Sequence, residues 1–580
     1  MLLRVLQFGG EIPVQGMRHL PDHFAVESVN TWLYSQELRA LHPSVSLRSC
    51  LSTTRKVFRI PRGTVGGDPA HPGVKPPPSY LGDSTWLEFN DPDTDIVRGP
   101  LVNDSFKRWY FCSPTTGLQM NTYSRLVTGE AVYTVGVPNP IATLGISITG
   151  GVAPANVTRG YFYTFMNIYG EESGPCNPVT AAGKDDGTWA ISGIVDPPPP
   201  DFTNYAAPQK KILYRSVTAA SGTTTFFRVA EIPLGTTTYN DTVLDVNIAS
   251  NLQFDNVNAQ PPPAGLQGII SMPNGFLIGW KDSDLWFSEP YKPWSWPVEY
   301  VVATEYPIVG LGVFGQTCAV LTQGFPSTIQ GIAPATTALA KSTVMEPCMS
   351  RGGIISTPEG VFYPSPNGLV SVSANGVQNI TQALITKEEW VKFFEPAFLR
   401  GTRYQQGYLA LRCVPEIGTR TAFYLDLSKL ETAVTELSEF DNAQNVQGDV
   451  WSAEVFIIQN NTIQHHDPNP SQFYLPYRWR SKEFKYPYAQ NLACYAIFWD
   501  QDRLDATSTD ALDIVPAGIP AHLRVWADRR LIYDQNVPKN GEAARLPSGY
   551  KATIWQFEIT GRAPVFELDV ASTIKELRET

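Results

Sequence analysis

Charge is scarce in this chain: only 17% of the 580 residues are Asp, Glu, Lys or Arg, and the net charge is -11. That balance carries no basic footprint for gripping nucleic acid. Histidine is equally scarce, with seven residues, and no H-E-x-x-H, G-x-S-x-G or G-x-x-x-x-G-K-[ST] string occurs. Acyl transfer and phosphate chemistry therefore have no visible machinery. The seven cysteines (Cys50, Cys112, Cys176, Cys318, Cys348, Cys413, Cys494) are odd in number, scattered, and never spaced as Cys-x-x-Cys. They read as small buried hydrophobes of a protein made in a reducing compartment, not as a disulfide framework or a zinc site. Nowhere do eighteen apolar residues run uninterrupted, and MLLRVLQFGG is broken too soon by Gly9, Gly10 and Glu11 to serve as a signal peptide. A soluble chain with no membrane segment and no export signal is expected.

What the chain does have is turn chemistry and aromatic rings: 48 prolines, 45 glycines and 12% Phe, Trp and Tyr. Short strands joined by many turns follow from that mixture, so the expected fold class is all-β. The length implies two to four units. Residues 20 to 45 carry Phe24, Val29 and Leu33 at spacings that predict a short helix ended before Pro43. Strand-like runs follow: KVFRIPRG, STWLEFNDPD, RWYFCSPTTG and YTVGVPNP, with a Pro/Gly-rich loop at 62 to 80. From about 155, RGYFYTFMNIYGEESGPCNP, KKILYRSVTAA, FFRVAEIP and TTTYNDT alternate over roughly 100 residues, as in a fibronectin type III sandwich. Pro197 to Pro200 must be a loop within it, because consecutive prolines lack ladder donors.

Beyond 264 an apolar strand, a tight turn, an aromatic strand and a third strand recur. The windows are 275 to 290, 308 to 331 and 352 to 381, with weaker copies at 407 to 427 and 449 to 466. That spacing suits four-stranded propeller blades. The expected organisation is a β-propeller with an inserted β-sandwich and a terminal β-sheet platform. Residues 1–150 form an N-terminal platform segment and first propeller strands, 151–262 the sandwich, 263–480 the blades and 481–580 a C-terminal β-sheet region.

Three strings invite a chemical reading. GLGVFG (Gly310 to Gly315) matches a dinucleotide fingerprint, but QTCAVLTQG after it reads as strand and turn where the motif needs a helix. His465, His466 and Asp467 offer metal-ligand atoms, yet neighbours on a strand face opposite ways and no third ligand is signalled, so a loop after EVFIIQ is expected. WFSEPYKPWSWP (286 to 297) sets Trp286, Tyr291, Trp294 and Trp296 among three prolines, beside Asp282, Asp284 and Glu289. A glycosidase would need two carboxyls about 5 to 9.5 Å apart flanking the bond it cuts. Asp282 and Ser283 are better explained as hairpin-turn residues bonding their own backbone. The prolines end the strand after Ser288, and the rings become candidate interface anchors packing over a neighbouring blade or subunit. No catalytic, cofactor-binding or metal residue is expected.

Taken in order, FGGEIPVQ, LPDHFAVESVNTWL, YTVGVPNP leading into YFYTFMNIYGEES and ILYRS, then LWFSEPYKPWSWP, LTQGFPSTIQG, PSPNGLVSVS, YRWRSKEF and IWQFEITGRAPVFELDVAS resemble the tail nozzle proteins of short-tailed bacteriophages. These are also called tail tubular or packaged-DNA-stabilisation proteins. The resemblance spans nearly the whole chain, and its strings are packing and turn signatures. It implies a non-enzymatic virion protein with a β-propeller in each subunit, assembled in the host cytoplasm as a homo-oligomeric ring, a hexamer. Its implied partners are the head-to-tail adaptor, a tail needle or fibres, and double-stranded DNA passing through the lumen without specific binding. The fibronectin-like segment is absent from some members. The alternative is a carbohydrate-binding or glycoside-hydrolysing propeller for host recognition, which would place a solvent-facing carboxylate pair beside Trp294 or Trp296.

Overall fold

The computed structural model describes residues 1–61, 84–197, 208–218, 224–331, 333–413, 422–440, 442–467, 474–500 and 521–578. The Pro/Gly-rich stretch 62 to 80 and Pro198 to Pro200 lie outside the described residues. The chain is all-β: propeller-type blades, an inserted β-sandwich and a terminal β-sheet. It divides into two compact units, one of residues 93–320 and 327–340, the other of 1–92, 321–326 and 341–580.

In the first unit, one four-stranded antiparallel sheet holds Asp95–Arg98, Arg108–Ser113, Gly117–Thr122 and Tyr133–Thr134. A second holds Gly268–Ser271, Leu277–Lys281, Asp284–Phe287 and Val302–Ala303. A third runs Ile308–Phe314, Thr317–Thr322, Ser327–Gln330 and Ala338–Lys341. GLGVFG therefore lies on a strand that turns at Gly315 straight into the next strand, with no helix to receive a pyrophosphate.

The sandwich of this unit packs a three-stranded sheet (Gly145–Thr149, Thr188–Ser192, Thr238–Asp241) on a four-stranded one (Val179–Lys184, Asn156–Asn167, Pro208–Thr218, Thr224–Pro233). It begins at Gly145, six residues before the boundary read from the sequence, because Gly145–Thr149 pairs with Thr188–Ser192. Tyr161, Tyr163, Trp189, Ile191 and Ile212 fill its core.

The second unit contains two further meanders, Ile355–Ser356 to Gly376–Asn379 and Leu399–Tyr404 to Val434–Leu437. A last sheet joins Ala443–Gly448, Val455–Gln459 and Thr462–His466, and its fourth strand is Val45–Ser49 from near the N-terminus. Asn460 and Asn461, at φ 50° and 58°, make the two-residue turn that sends TIQHH back as a strand, so His465 and His466 are ladder residues and not the loop expected.

The predicted helix at 20 to 45 is absent; Ala25–Val29 and Thr31–Trp32 are strands. Ala25–Val29 fits between Val434–Leu437 (parallel) and Tyr477–Ser481 (antiparallel), and ladder bonds on both sides outcompete a short helix of marginal propensity. A ten-stranded sheet results, running through Tyr477–Ser481 into Ala552–Gly561, Ala521–Ala527 and Arg530–Asn536. Against it packs a second terminal sheet in which Leu2–Val5 pairs with Val565–Ala571, the two sharing a core of Val5, Trp479, Ile497, Trp555 and Leu568. The terminal region thus begins at Tyr477 and includes the N-terminal strands.

Candidate interaction site

The aromatic stretch 286–297 grows out of a tight hairpin. Leu277–Lys281 and Asp284–Phe287 pair across Asp282 and Ser283, with Asp282 at φ 54°. The Asp282 carboxylate does not bond its own backbone as expected: it accepts from the Gln267 amide at 3.2 Å, while Gln267 Oε1 accepts from Asp282 N–H at 3.1 Å. The hairpin closes at Ser288, whose Oγ accepts from Leu277 N–H (2.9 Å) and whose own N–H donates to Leu277 O (3.0 Å).

After Ser288 the prolines take over and the backbone bonds become local. Glu289 N–H donates to Ser295 O at 2.8 Å and Tyr291 N–H to Gly275 O at 2.8 Å. Tyr291 sits at φ 62° and Gly275 at φ 90°, where a Cβ would lie 2.7 Å from the Tyr291 ring, so only glycine lets the tyrosine fold back here.

The four rings singled out in the sequence do different things. Trp296 is fully buried, its indole N–H donating to Pro293 O at 2.9 Å, and it packs with Tyr110, Cys112, Leu118 and Met120 of one blade and Ile269 and Leu277 of its own. It cannot anchor a second subunit; it packs over the neighbouring blade of its own chain. Trp294 is half-buried, donates to Glu172 O of the sandwich at 3.1 Å, and lies 5.9 Å from the Arg108 guanidinium. Arg108 is held by Glu171 (2.6 Å) and Asp104 (2.9 Å). Trp286 is also partly buried, and its indole N–H is shielded without a hydrogen-bond partner. Tyr291 alone faces outward, 65% exposed. Two of the three tryptophans are therefore joints between a blade and its neighbours within the unit, and the free surface narrows to Tyr291.

Beside Trp294, Glu172 is buried and accepts from the Thr164 and Tyr214 hydroxyls, and the exposed Asp255 pairs with Lys292 at 3.1 Å. Glu289 has a shielded Oε2 without a hydrogen bond, and Glu171 is spent on Arg108 and on Asn167 (2.8 Å).

A separate recess lies in the second unit, where the sequence pointed only weakly. A cavity of about 920 Å³ is lined by His42, Tyr404, Asp449, Ser452, Glu454 and Asp467 among others. Asp467 accepts from His42 N–H at 2.9 Å, lies 2.9 Å from the His42 ring Nδ1, and takes the Tyr404 hydroxyl on its other oxygen. Burial alone would raise its pKa, but these bonds hold the carboxyl below the usual range. Glu454 meets the His465 ring at 2.6 Å, and Asp449 neutralises Arg59, whose side chain is fully buried. His466 faces the other way, between the Tyr404 and Phe440 rings with neither ring nitrogen bonded, and burial pushes its pKa down to about 4. Of this constellation only His465 to Asp467 could be singled out from sequence, since no spacing signals their partners: Glu454 stands just before the preceding strand, Tyr404 on another sheet and His42 near the N-terminus. No group of three His, Cys, Asp or Glu side chains could hold a metal ion among the described residues.

No family model matches the sequence, and no curated protein matches it. Solved structures overlap it weakly. Kluyvelomyces marxianus Hsv2 shares 8% identity at a TM-score of 0.24, covering 44% of this chain and 70% of its own. BBS1N, from its complex with ARL6DN, shares 7% identity at 0.24 over 58% of this chain and 94% of its own. YCF48 bound to D1 peptide shares 11% at 0.24, over 45% and 89%. Overlap at that level assigns no function.

Proposed function

We propose that this chain is the subunit of a ring-shaped tail nozzle of a short-tailed bacteriophage, continuing the DNA channel below the head-to-tail adaptor and helping to retain and then eject packaged DNA. The observation that carries the reading is where the resembling strings meet. LPDHFAVESVNTWL, YRWRSKEF and IWQFEITGRAPVFELDVAS lie at opposite ends of the chain, yet Ala25–Val29, Tyr477–Ser481 and Ala552–Gly561 are consecutive strands of one sheet. Leu2–Val5, just before FGGEIPVQ, pairs with Val565–Ala571 at the far end. Strings that resemble one family in order, and that join in one platform, support this reading over chance matches. Negative-stain microscopy of the purified chain, alone and with its adaptor, is expected to show closed rings; monomers under both conditions would refute the reading.

A conduit should not hold its cargo. DNA bound by Lys and Arg releases counterions and sticks, with affinity falling steeply in salt. With a net charge of -11, the protein is expected to bind a short free duplex weakly or not at all, even at low salt. Fluorescence anisotropy across a salt series checks this: sub-micromolar affinity with a steep salt slope would indicate a DNA-gripping role.

One observation favours a second reading, a glycan-binding or glycoside-hydrolysing propeller. The 920 Å³ cavity is lined by Asp467, in contact with the His42 ring, and by Glu454, whose carboxylate meets His465 behind it. Turnover of host polysaccharide that is lost in Glu454→Gln would establish it in place of the nozzle.

A further inference from the structure

A smaller groove in the second unit, about 290 Å³, combines apolar walls with carboxylates in a way the chain itself does not complete. Its apolar lining is Ile12, Pro13, Met17, Leu20, Phe393 and Phe394. Glu11, Glu389 and Glu436 also line it.

The backbone fixes two of these acids. Glu11 N–H donates to Val434 O at 2.8 Å and Val434 N–H returns to Glu11 O at 3.2 Å, which locks Glu11 beside the strand that carries Glu436. Glu11 Oε1 accepts from Ser28 N–H at 2.6 Å, whereas the Glu436 side chain has neither a hydrogen bond nor an ion pair among the described residues. Burial raises both carboxyl pKa values, Glu11 to about 8; the charges of Glu436 and Glu27 add to the rise at Glu11, and that of Glu27 adds to the rise at Glu436. The cation near them, Arg478, is bonded to Glu27, a third acid that repels both. Glu389 is engaged in capping Thr386, and Lys392 sits over the Phe393 ring, 5.1 Å from its centroid. The site is thus short of positive charge.

Phe393 and Phe394 come to the groove from an unusual turn. Trp390–Phe394 is a π-helical turn, a rare distortion concentrated at functional sites. Trp390 and Phe394 stack inward, 5.2 Å between centroids, with the Trp390 indole N–H on Ser365 O at 2.7 Å. That anchorage leaves Val391 and Phe393 about half exposed, at 47% and 53%, and Met17, also lining the groove, is 51% exposed. An exposed ring and a thioether beside desolvated carboxylates complement a side chain with an apolar stem and a cationic tip.

We propose that this groove docks a segment of a partner protein that inserts a lysine between apolar neighbours, the ammonium seated between Glu11 and Glu436 and the stem against Phe393 and Met17. Recognition of the charge is specific because an apolar isostere would leave two carboxyls facing each other without a counter-ion. Docking is coupled to proton release: the ammonium, charged well past neutrality, favours the carboxylate form of Glu11. Affinity therefore climbs with pH and levels off above the free-state value of about 8, with Glu27, Glu389, Glu436, Arg478 and Lys392 the other charged groups facing the site.

The test uses the full chain and a fluorescein-labelled heptapeptide with a central lysine flanked by leucines, against the same peptide with norleucine. The lysine peptide is expected to bind about tenfold more tightly. Glu436→Gln should remove that preference while leaving the norleucine peptide unchanged, and Phe393→Ser should weaken both. Thermal unfolding matched to the parent keeps either variant interpretable. Equal affinity for the two peptides, binding of neither, or affinity that falls as pH rises would overturn the proposal. A concentration-dependent dimer abolished by Phe393→Ser would also overturn it, assigning the groove to a second copy.

Discussion

Trp296→Ala is expected to destabilise the unit of residues 93–320 by about 3–5 kcal/mol, the usual loss for a buried tryptophan. The indole is fully buried, it fills a cluster drawn from two blades, and no neighbour can collapse into its place without moving a strand. A Cβ built on Gly279 would meet the indole at 3.3 Å, so the ring already packs against backbone there. Calorimetry of the full chain should show the loss. Tyr291→Ala is the contrasting case: with 65% of the residue exposed, its stability change should stay within about ±0.5 kcal/mol. If the ridge serves assembly, Tyr291→Ala should lower the yield of rings at unchanged thermal stability. A stable Trp296→Ala protein, or Tyr291→Ala rings formed at the parental yield, would remove the corresponding role.

Asp241→Ala should be as costly, about 3–5 kcal/mol, because it removes the fully buried partner of a buried cation and leaves it only the partly exposed Asp245 as an acidic partner. Arg215 and Asp241 both have fully buried side chains and meet at 2.7 Å. Asp241 also accepts from the Tyr161 hydroxyl at 2.7 Å and from Val243 N–H at 2.9 Å. Without it, Arg215 keeps Val243 O and Asp245, the latter at 3.1 Å, and Tyr161 has no acceptor in its place. In a chain of several units the effect belongs to the sandwich's own transition, where a loss of that size corresponds to a drop of more than about 12 °C for roughly 100 residues. Expressed alone, the sandwich should unfold cooperatively, and Asp241→Ala should abolish that. Joint replacement of Arg215 and Asp241 by Met and Leu should recover part of the stability, since a pair removed together leaves no uncompensated charge. A shift below about 2 °C in the single variant would show that the pair contributes nothing to the fold.

Strand rhythm was legible wherever pairing is local. GVFYPSPNGLVSVSANGV alternates turn and strand within thirty residues, and its hairpins form where the turn residues place them, Gly360–Ser365 with Gly368–Ser373 and that strand with Gly376–Asn379. The fibronectin-like alternation from Tyr161 onward was legible from its side-chain period although its strands pair across tens of residues, and the strand character of GLGVFG from the residues after it, which could not open a helix. The hairpin signals survive because a hairpin's register depends on residues a few positions apart.

The sequence alone determined an all-β chain built of short hairpins and carrying no recognised catalytic string, because side-chain period and turn chemistry are local properties. Everything joined across long distances was decided by tertiary structure. Ala25–Val29 is a strand because two distant strands flank it, and Val45–Ser49 belongs to the sheet of Thr462–His466 because that sheet has an open edge. Trp296 is core and Tyr291 surface although both stand in the same proline-rich dozen, since burial depends on which blade comes to lie over each ring. Asp467 meets His42 and Tyr404, and Glu11 meets Glu436, only once the chain returns on itself. The acidity of each carboxyl follows from that return, because desolvation and neighbouring charge are properties of the folded site and not of the residue.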